Sequence, residues 1–158
     1  MFKTILWATD GSATADRALP YAKALAASEG AKLLVIHCKE IIVGGRGSGY
    51  PVLADEEDIV AKINGQVEEL KAGGVNAALE VISGVASGAA HAIADVAHDQ
   101  HADLIVVGTR GHAPVAGLLV GSVTQRLLHV APCPVLAVPG GKHAEPSEHA
   151  LETTAASH

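Results

Sequence analysis

The segment Asp103-Leu-Ile-Val-Val-Gly-Thr-Arg-Gly111, followed after nine residues by Gly121-Ser122, decides the fold of this 158-residue chain. An apolar run typical of a buried strand is followed by glycines where that strand must end. Glycine lacks a Cβ, so it permits positive φ and close approach of a ligand to the backbone. A glycine turn after a strand and a Gly-Ser pair opening a helix can direct several N–H groups toward one anion. The segment therefore predicts a phosphate site, most simply for a nucleotide.

Strand-like and helix-like patterns alternate along the rest of the chain. We expect strands over residues 4–9, 32–38, 77–82, 104–107 and 134–138. We expect helices from about residue 13 to Gly30 (with a kink or late start at Pro20), from Asp55 to residue 72, over 86–100 and over 122–129. Nearly continuous apolar strands suit a parallel sheet that is covered on both faces. The order predicts an α/β fold, a doubly wound parallel sheet with right-handed crossovers.

Two glycine-containing turns follow the first and fourth expected strands. The first strand ends at Asp10-Gly-Ser12, and the fourth ends at Gly108. Ligands of doubly wound sheets bind at the carboxyl ends of the strands, where the strand order reverses. If these two strands are neighbours, both turns line one crevice. An alternative role for Asp10 is to cap the N-terminus of the first helix, because Asp and Ser are preferred at that position.

Composition and charge bound the class of protein. The hydrophobic fraction of 49% and the charged fraction of 18% fit a compact globular chain. We expect one domain over residues 1–139 and a weakly ordered or short helical tail over 140–158. The net charge of −6 argues against a nonspecific nucleic-acid binder. No apolar run is long enough to span a membrane and no signal-peptide pattern is present, so we expect a cytoplasmic protein.

Cysteines, histidines and the single tryptophan each allow a functional and a structural interpretation. Cys38 and Cys133 are too few and too far apart for a disulfide framework, and we expect both to be small buried hydrophobes. The spacing of His91, Asp95, His98 and His101 imitates a metal site, but it follows the inward positions by one residue and favours a solvated helix face. Trp7 is expected in the core rather than as a stacking platform.

Four ordered blocks of the sequence resemble the universal stress protein family over residues 1–139. The most specific is the spacing G-x2-G-x9-G-S/T, which is met by Gly108, Gly111, Gly121 and Ser122. The others are the opening Ile5–Ser12, the second-strand segment Leu34–His37 and the ending Ala131–Val138. The resemblance implies a Rossmann-like sheet of five parallel strands in the order 3-2-1-4-5. It also implies ATP binding, with AMP or ADP as alternatives and Mg²⁺ joining through the phosphates.

The resemblance assigns site residues by position. Ala8, Thr9 and Asp10 would lie near adenine and ribose, and His37 and Cys38 would contact adenine. The ribose and phosphates would be surrounded by Gly108, Arg110, Gly111, Gly121, Ser122, Val123 and Thr124. The family also commonly dimerises through the fifth strand, which implies a homodimer contact over Val135, Leu136, Ala137 and Val138.

Two departures from the family pattern bear on affinity. Many relatives carry a basic residue between the second and third motif glycines, whereas this chain has only His112 there. Phosphate binding would then depend on backbone amides, the Ser122 hydroxyl, Arg110 and His112, so we expect weak triphosphate affinity. Cys38 replaces a residue that is usually aliphatic, which is a small change for an adenine edge.

The sequence favours a nucleotide-dependent sensor or regulator of the stress response over an enzyme. It contains no G-x4-G-K-S/T loop, no G-x-G-x-x-G fingerprint, no kinase catalytic loop and no G-x-S-x-G elbow. A slow ATPase or self-phosphorylating activity near Ser122 or Thr124 stays open as an alternative. A second alternative is a dimeric interaction protein of the same fold that needs no nucleotide. The regulatory partner is not identified by any motif.

Overall fold

A computed structural model describes residues 1–40, 52–84, 88–109 and 120–140. Residues 41–51, the tail beyond Gly140, and the motif residues Arg110 and Gly111 lie outside the described residues. The strands are β1 (Thr4–Ala8), β2 (Lys32–Glu40), β3 (Ala77–Gly84), β4 (Leu104–Gly108) and β5 (Val135–Val138). The helices are α1 (Ala13–Asp16), α2 (Leu19–Glu29), α3 (Val52–Ala72), α4 (Ala89–Asp99) and α5 (Ser122–Val130).

The strands form one parallel sheet in the order β3-β2-β1-β4-β5, which confirms the expected fold. β1 lies at the centre, with Ala8 level with Ile36 of β2 and with Val107 of β4. The chain leaves β1 toward β2 on one side and later enters β4 on the other. The order therefore reverses between β1 and β4, so the turns after these two strands share one edge.

Two hydrophobic cores cover the two faces of the sheet. Alternate residues of a strand point to opposite faces, so Ile5 and Trp7 pack with α2 and α3. Leu6 and Ile105 pack on the other face with Ile93 of α4 and Leu127 of α5. Trp7 is fully buried, which confirms the expectation that it belongs to the core. Burial of one such large apolar side chain contributes about 1.5–3 kcal/mol.

Several element boundaries differ from those expected. α3 begins at Val52, three residues before the expected start at Asp55. α4 begins at Ala89 rather than residue 86, because Gly88 precedes it with a φ of 80°, outside the helical region. β2 continues to Glu40 instead of ending at Cys38, since it pairs with β3 along its whole length. The first expected helix is two helices, with Pro20 in the first turn of α2, where a missing N–H costs nothing.

Both cysteines are only partly buried, which corrects the expectation of two core thiols. Cys38 lies near the carboxyl end of β2, and Cys133 lies between two prolines in the connection from α5 to β5. Asp95 and His98 are exposed, as expected for a solvated face of α4, whereas His91 is half-buried and His101 is exposed beyond the end of the helix. Among the described residues, no helix is long and apolar enough to cross a membrane.

Candidate functional site at the carboxyl ends of β1 and β4

The turn after β1 is held by its own polar side chains. The Asp10 carboxylate accepts a 2.9 Å hydrogen bond from the Ser12 N–H, and the Thr9 hydroxyl accepts one of 3.1 Å from the Gly11 N–H. Ser12, not Asp10, caps α1, because its hydroxyl accepts the Ala15 N–H at 3.2 Å. Asp10 is half-buried beside the cap, so its carboxylate borders the edge of the sheet.

The first half of α3 crosses this turn closely. Gly11 has a φ of +78°, and a Cβ built on it would lie 2.8 Å from Cγ2 of Ile59. The Lys62 ammonium donates to the Gly11 carbonyl oxygen at 2.7 Å and to the Asp16 carboxylate at 2.5 Å. Glycine is therefore required at position 11 by both its backbone conformation and its neighbour.

His37 is a buried part of the same assembly. Its ring is 3% exposed, with Nδ1 3.0 Å from the Thr9 carbonyl oxygen and Nε2 2.6 Å from Oε1 of Glu56. The ring thus lies between the end of β1 and α3, and both nitrogens already have partners. Cys38, the next residue, lies on the opposite face of β2 by the alternation of the strand.

The end of β4 is packed against α1. A Cβ on Gly108 would lie 2.9 Å from the Thr14 carbonyl oxygen and 3.2 Å from Cα of Ala15. The Gly108 carbonyl oxygen accepts a 2.8 Å hydrogen bond from the buried Thr124 hydroxyl. The glycine at this position is therefore required by the approach of α1, before any ligand is considered.

The N-terminus of α5 supplies the hydrogen-bond donors of the site. Gly121 is its cap, in an extended conformation with φ −66° and ψ 156°, and has no side chain that could bond the first-turn N–H groups. The Gly121 N–H itself donates to the Thr109 carbonyl oxygen, which ties the cap to the end of β4. The backbone N–H groups of Ser122, Val123 and Thr124 have no acceptor within an α-helix at these positions. An anion placed there would meet N–H donors and the positive end of the helix dipole.

The structure gathers most of the sequence-predicted residues at one edge. Thr9 and Asp10 come from β1 and its turn, Gly108 comes from β4, and the first turn of α5 lies beside them. The described residues contain no group of three or more His, Cys, Asp or Glu side chains that could hold a metal ion. The first turn of α5, which has no side-chain cap at Gly121, has the geometry of an anion site.

Five residues that contact the turns after β1 and β4 and support them were not predicted from the sequence. They are Thr14, Glu56, Ile59, Lys62 and Thr109. Thr109 accepts at its carbonyl oxygen from Gly121, and its hydroxyl accepts the Gly140 N–H at 3.3 Å. No local signal marks these contacts, because each joins segments far apart in the chain.

Comparison with known proteins assigns the chain to a family. The family model described as the universal stress protein family matches residues 1–139. The universal stress protein in the QAH/OAS sulfhydrylase 3′ region of Thermus aquaticus is 39% identical over 138 residues, which are 87% of this chain and 99% of that relative.

Solved structures agree with this assignment. A universal stress protein in complex with cAMP is 28% identical with a TM-score of 0.64, over 89% of this chain and 98% of that one. A family member from Burkholderia pseudomallei is 30% identical with a TM-score of 0.65, over 87% of this chain and 96% of that one. With its sheet order and its motif at the edge between β1 and β4, this chain belongs to the universal stress protein family.

Proposed function

We propose that this protein binds an adenine nucleotide between β1 and β4 and acts as a nucleotide-dependent sensor or regulator in the stress response. The observation that carries the proposal is the uncapped first turn of α5 beside the Asp10 turn, at one edge of the sheet. The similarity to a universal stress protein in complex with cAMP supports it. ATP is the proposed ligand, with ADP and AMP as alternatives.

Each part of the nucleotide has a proposed set of partners. The phosphates are bound by the backbone N–H groups of Ser122, Val123 and Thr124, together with Arg110 and Gly111. The Asp10 carboxylate accepts from the ribose hydroxyls, and Ala8, Thr9 and Cys38 border the base. The side chains of His37 and Thr124 are not available, because both are buried in hydrogen bonds with neighbouring elements. Mg²⁺ would bind with the phosphates and no resident cation is needed.

Calorimetric titration of protein freed of bound ligand tests the proposal. Titrants are ATP, ADP, AMP and cAMP, the first two with and without Mg²⁺. We expect binding at millimolar concentration or below for at least one of them, and adenine nucleotide in native mass spectra of the protein as purified. The absence of binding by all four would refute the function and favour an interaction protein that needs no nucleotide.

Gly121→Val tests the location of the site. The backbone of Gly121 is extended with negative φ, a conformation that valine also adopts, and the substitution adds a branched side chain beside the first turn of α5. We expect loss of nucleotide binding with unchanged unfolding midpoint. The matched control is Gly65→Val, at an exposed position of α3 with no atom within 4 Å of the added Cβ. Unchanged affinity in Gly121→Val would place the ligand elsewhere.

We further propose that a second copy of the chain pairs with the open side of β5. In the described sheet β5 is hydrogen-bonded only to β4, and Val135, Leu136 and Ala137 are partly exposed. The carbonyls of Pro134 and Val138 face β4, so by alternation the N–H of Ala137 faces outward. Ala137→Pro removes that outward donor and leaves the internal ladder intact. Sedimentation should show a dimer for the parent and a monomer for this variant, and an equal mass for both would contradict the contact.

A further inference from the structure

His37 lies between two hydrogen-bond acceptors. Nδ1 faces the Thr9 carbonyl oxygen at 3.0 Å, and Nε2 faces the Glu56 carboxylate at 2.6 Å. A carbonyl oxygen can only accept, so Nδ1 must carry a hydrogen. In a neutral imidazole Nε2 would then present a lone pair to the carboxylate. The short Nε2–Oε1 distance therefore requires one additional proton, shared by the His37–Glu56 pair.

This shared proton joins α3 to the residue that precedes Asp10. Glu56, Ile59 and Lys62 stand at intervals of three residues and so lie on one face of α3. Glu56 bonds to His37, whose ring in turn contacts the Thr9 carbonyl oxygen. Ile59 lies next to Gly11, and Lys62 donates to the Gly11 carbonyl oxygen. The backbone from Thr9 to Gly11 is thus held from the α3 side at three points, on either side of Asp10.

We propose that His37 and Glu56 are positioning residues, which hold the Thr9–Asp10 backbone through their shared proton and so set the affinity for the nucleotide. Removal of either side chain breaks the link from α3 to the Thr9 carbonyl oxygen. The proposal rests on the function proposed above for its effect on affinity, while its effect on the turn is independent of any ligand.

Glu56→Gln keeps the contact without a titratable proton. The amide nitrogen of glutamine donates to Nε2 of a neutral His37, whose Nδ1–H still donates to Thr9. Glu56→Ala removes the contact altogether. Glu68→Gln is the matched control, because Glu68 is an exposed carboxylate of the same helix that pairs only at the surface with Lys71.

The ligand-free protein tests the shared proton directly. Nitrogen-15 spectra of the nine histidine imidazoles, with His37 assigned by its loss in His37→Asn, should show a proton at Nε2 that is shared with Glu56. In Glu56→Gln only Nδ1 should be protonated. A His37 signal that is identical in the parent and in Glu56→Gln would overturn the proposal.

Affinity for cAMP tests the positioning role. We expect Glu56→Ala to bind roughly five- to tenfold more weakly than the parent. Glu56→Gln, which keeps the contact, should recover most of this loss, and Glu68→Gln should bind like the parent. Unchanged affinity in Glu56→Ala, or an equal loss in Glu56→Gln, would overturn it.

Amide exchange distinguishes this proposal from the proposed function. If no nucleotide binds the parent at any pH, the proposed function fails, and exchange of the Gly11 and Ser12 N–H groups decides the positioning role alone. Faster exchange at these two amides in Glu56→Ala than in Glu56→Gln would support it. Equal exchange in the two variants would refute it.

Discussion

The hydroxyl of Thr124 donates a 2.8 Å hydrogen bond to the carbonyl oxygen of Gly108 and so ties the first turn of α5 to the end of β4. Thr124 is 6% exposed, and its hydroxyl is committed to the fold. Only its backbone N–H remains available to an anion. The first glycine of the motif is thus joined to the first turn of α5 before any ligand binds.

Thr124→Val should destabilise the protein through this contact. Valine keeps the branched shape but leaves the buried Gly108 carbonyl oxygen without its donor, at a cost of about 1–3 kcal/mol in the free energy of unfolding. Urea unfolding monitored by the fluorescence of the single tryptophan, Trp7, measures the change. Thr124→Ser keeps the hydroxyl and should recover most of the loss. A valine variant as stable as the parent would show that water replaces the bond.

Gly108→Ala should also destabilise the fold, for a steric reason. The added Cβ meets the Thr14 carbonyl oxygen at 2.9 Å, so α1 must move away from β4 at a cost of about 1–3 kcal/mol. Gly65→Ala is the counterpart in open space on α3, where it should stabilise the protein by about 0.5–1 kcal/mol. Guanidinium unfolding of both variants checks the opposite signs. A Gly108→Ala variant as stable as the parent would mean that α1 does not pack closely against β4.

Local pattern was sufficient to predict the sheet and its cores. The apolar run 104–107, expected as a strand, is a buried strand of the sheet. The chain alternation implied parallel strands, and the family resemblance supplied the order. Because β1 and β4 are neighbours, the convergence of their turns was also predictable.

Contacts between distant segments were beyond the reach of the sequence. The pair of His37 and Glu56 joins β2 to α3 and removes the imidazole from the adenine edge that the resemblance assigned to it. The helix expected to start at Asp55 begins earlier, at Val52, and Glu56 contacts the buried imidazole of His37. Gly108 resembles a ligand-approach glycine, yet its neighbour is the backbone of α1. Each outcome depends on tertiary packing that no local window contains.

Asp103 should contribute stability that is lost in acid. Its carboxylate accepts the N–H groups of Thr4 and Lys3 at 2.9 and 2.7 Å, and these bonds hold the pKa of Asp103 below its usual range. A depressed folded-state pKa means that the contribution is present above the unfolded-state pKa and disappears as the pH falls through the folded-state one. Thermal unfolding from neutral pH into acid should show a smaller loss for Asp103→Asn than for the parent. Identical slopes would show that the start of β1 is held by other contacts.

The thiol of Cys133 should react more slowly in the folded protein than in the unfolded chain. Partial burial raises the pKa of this thiol, and the nearby charge of Asp103 raises it further, so less thiolate is present at a given pH. Iodoacetamide labelling at mildly alkaline pH, read by mass spectrometry of the peptide containing Cys133, gives the rate in buffer and in urea. Asp103→Asn removes the smaller cause and should raise the folded rate only modestly. Because burial is the larger cause, a folded rate that reached the unfolded one in this variant would contradict the assignment.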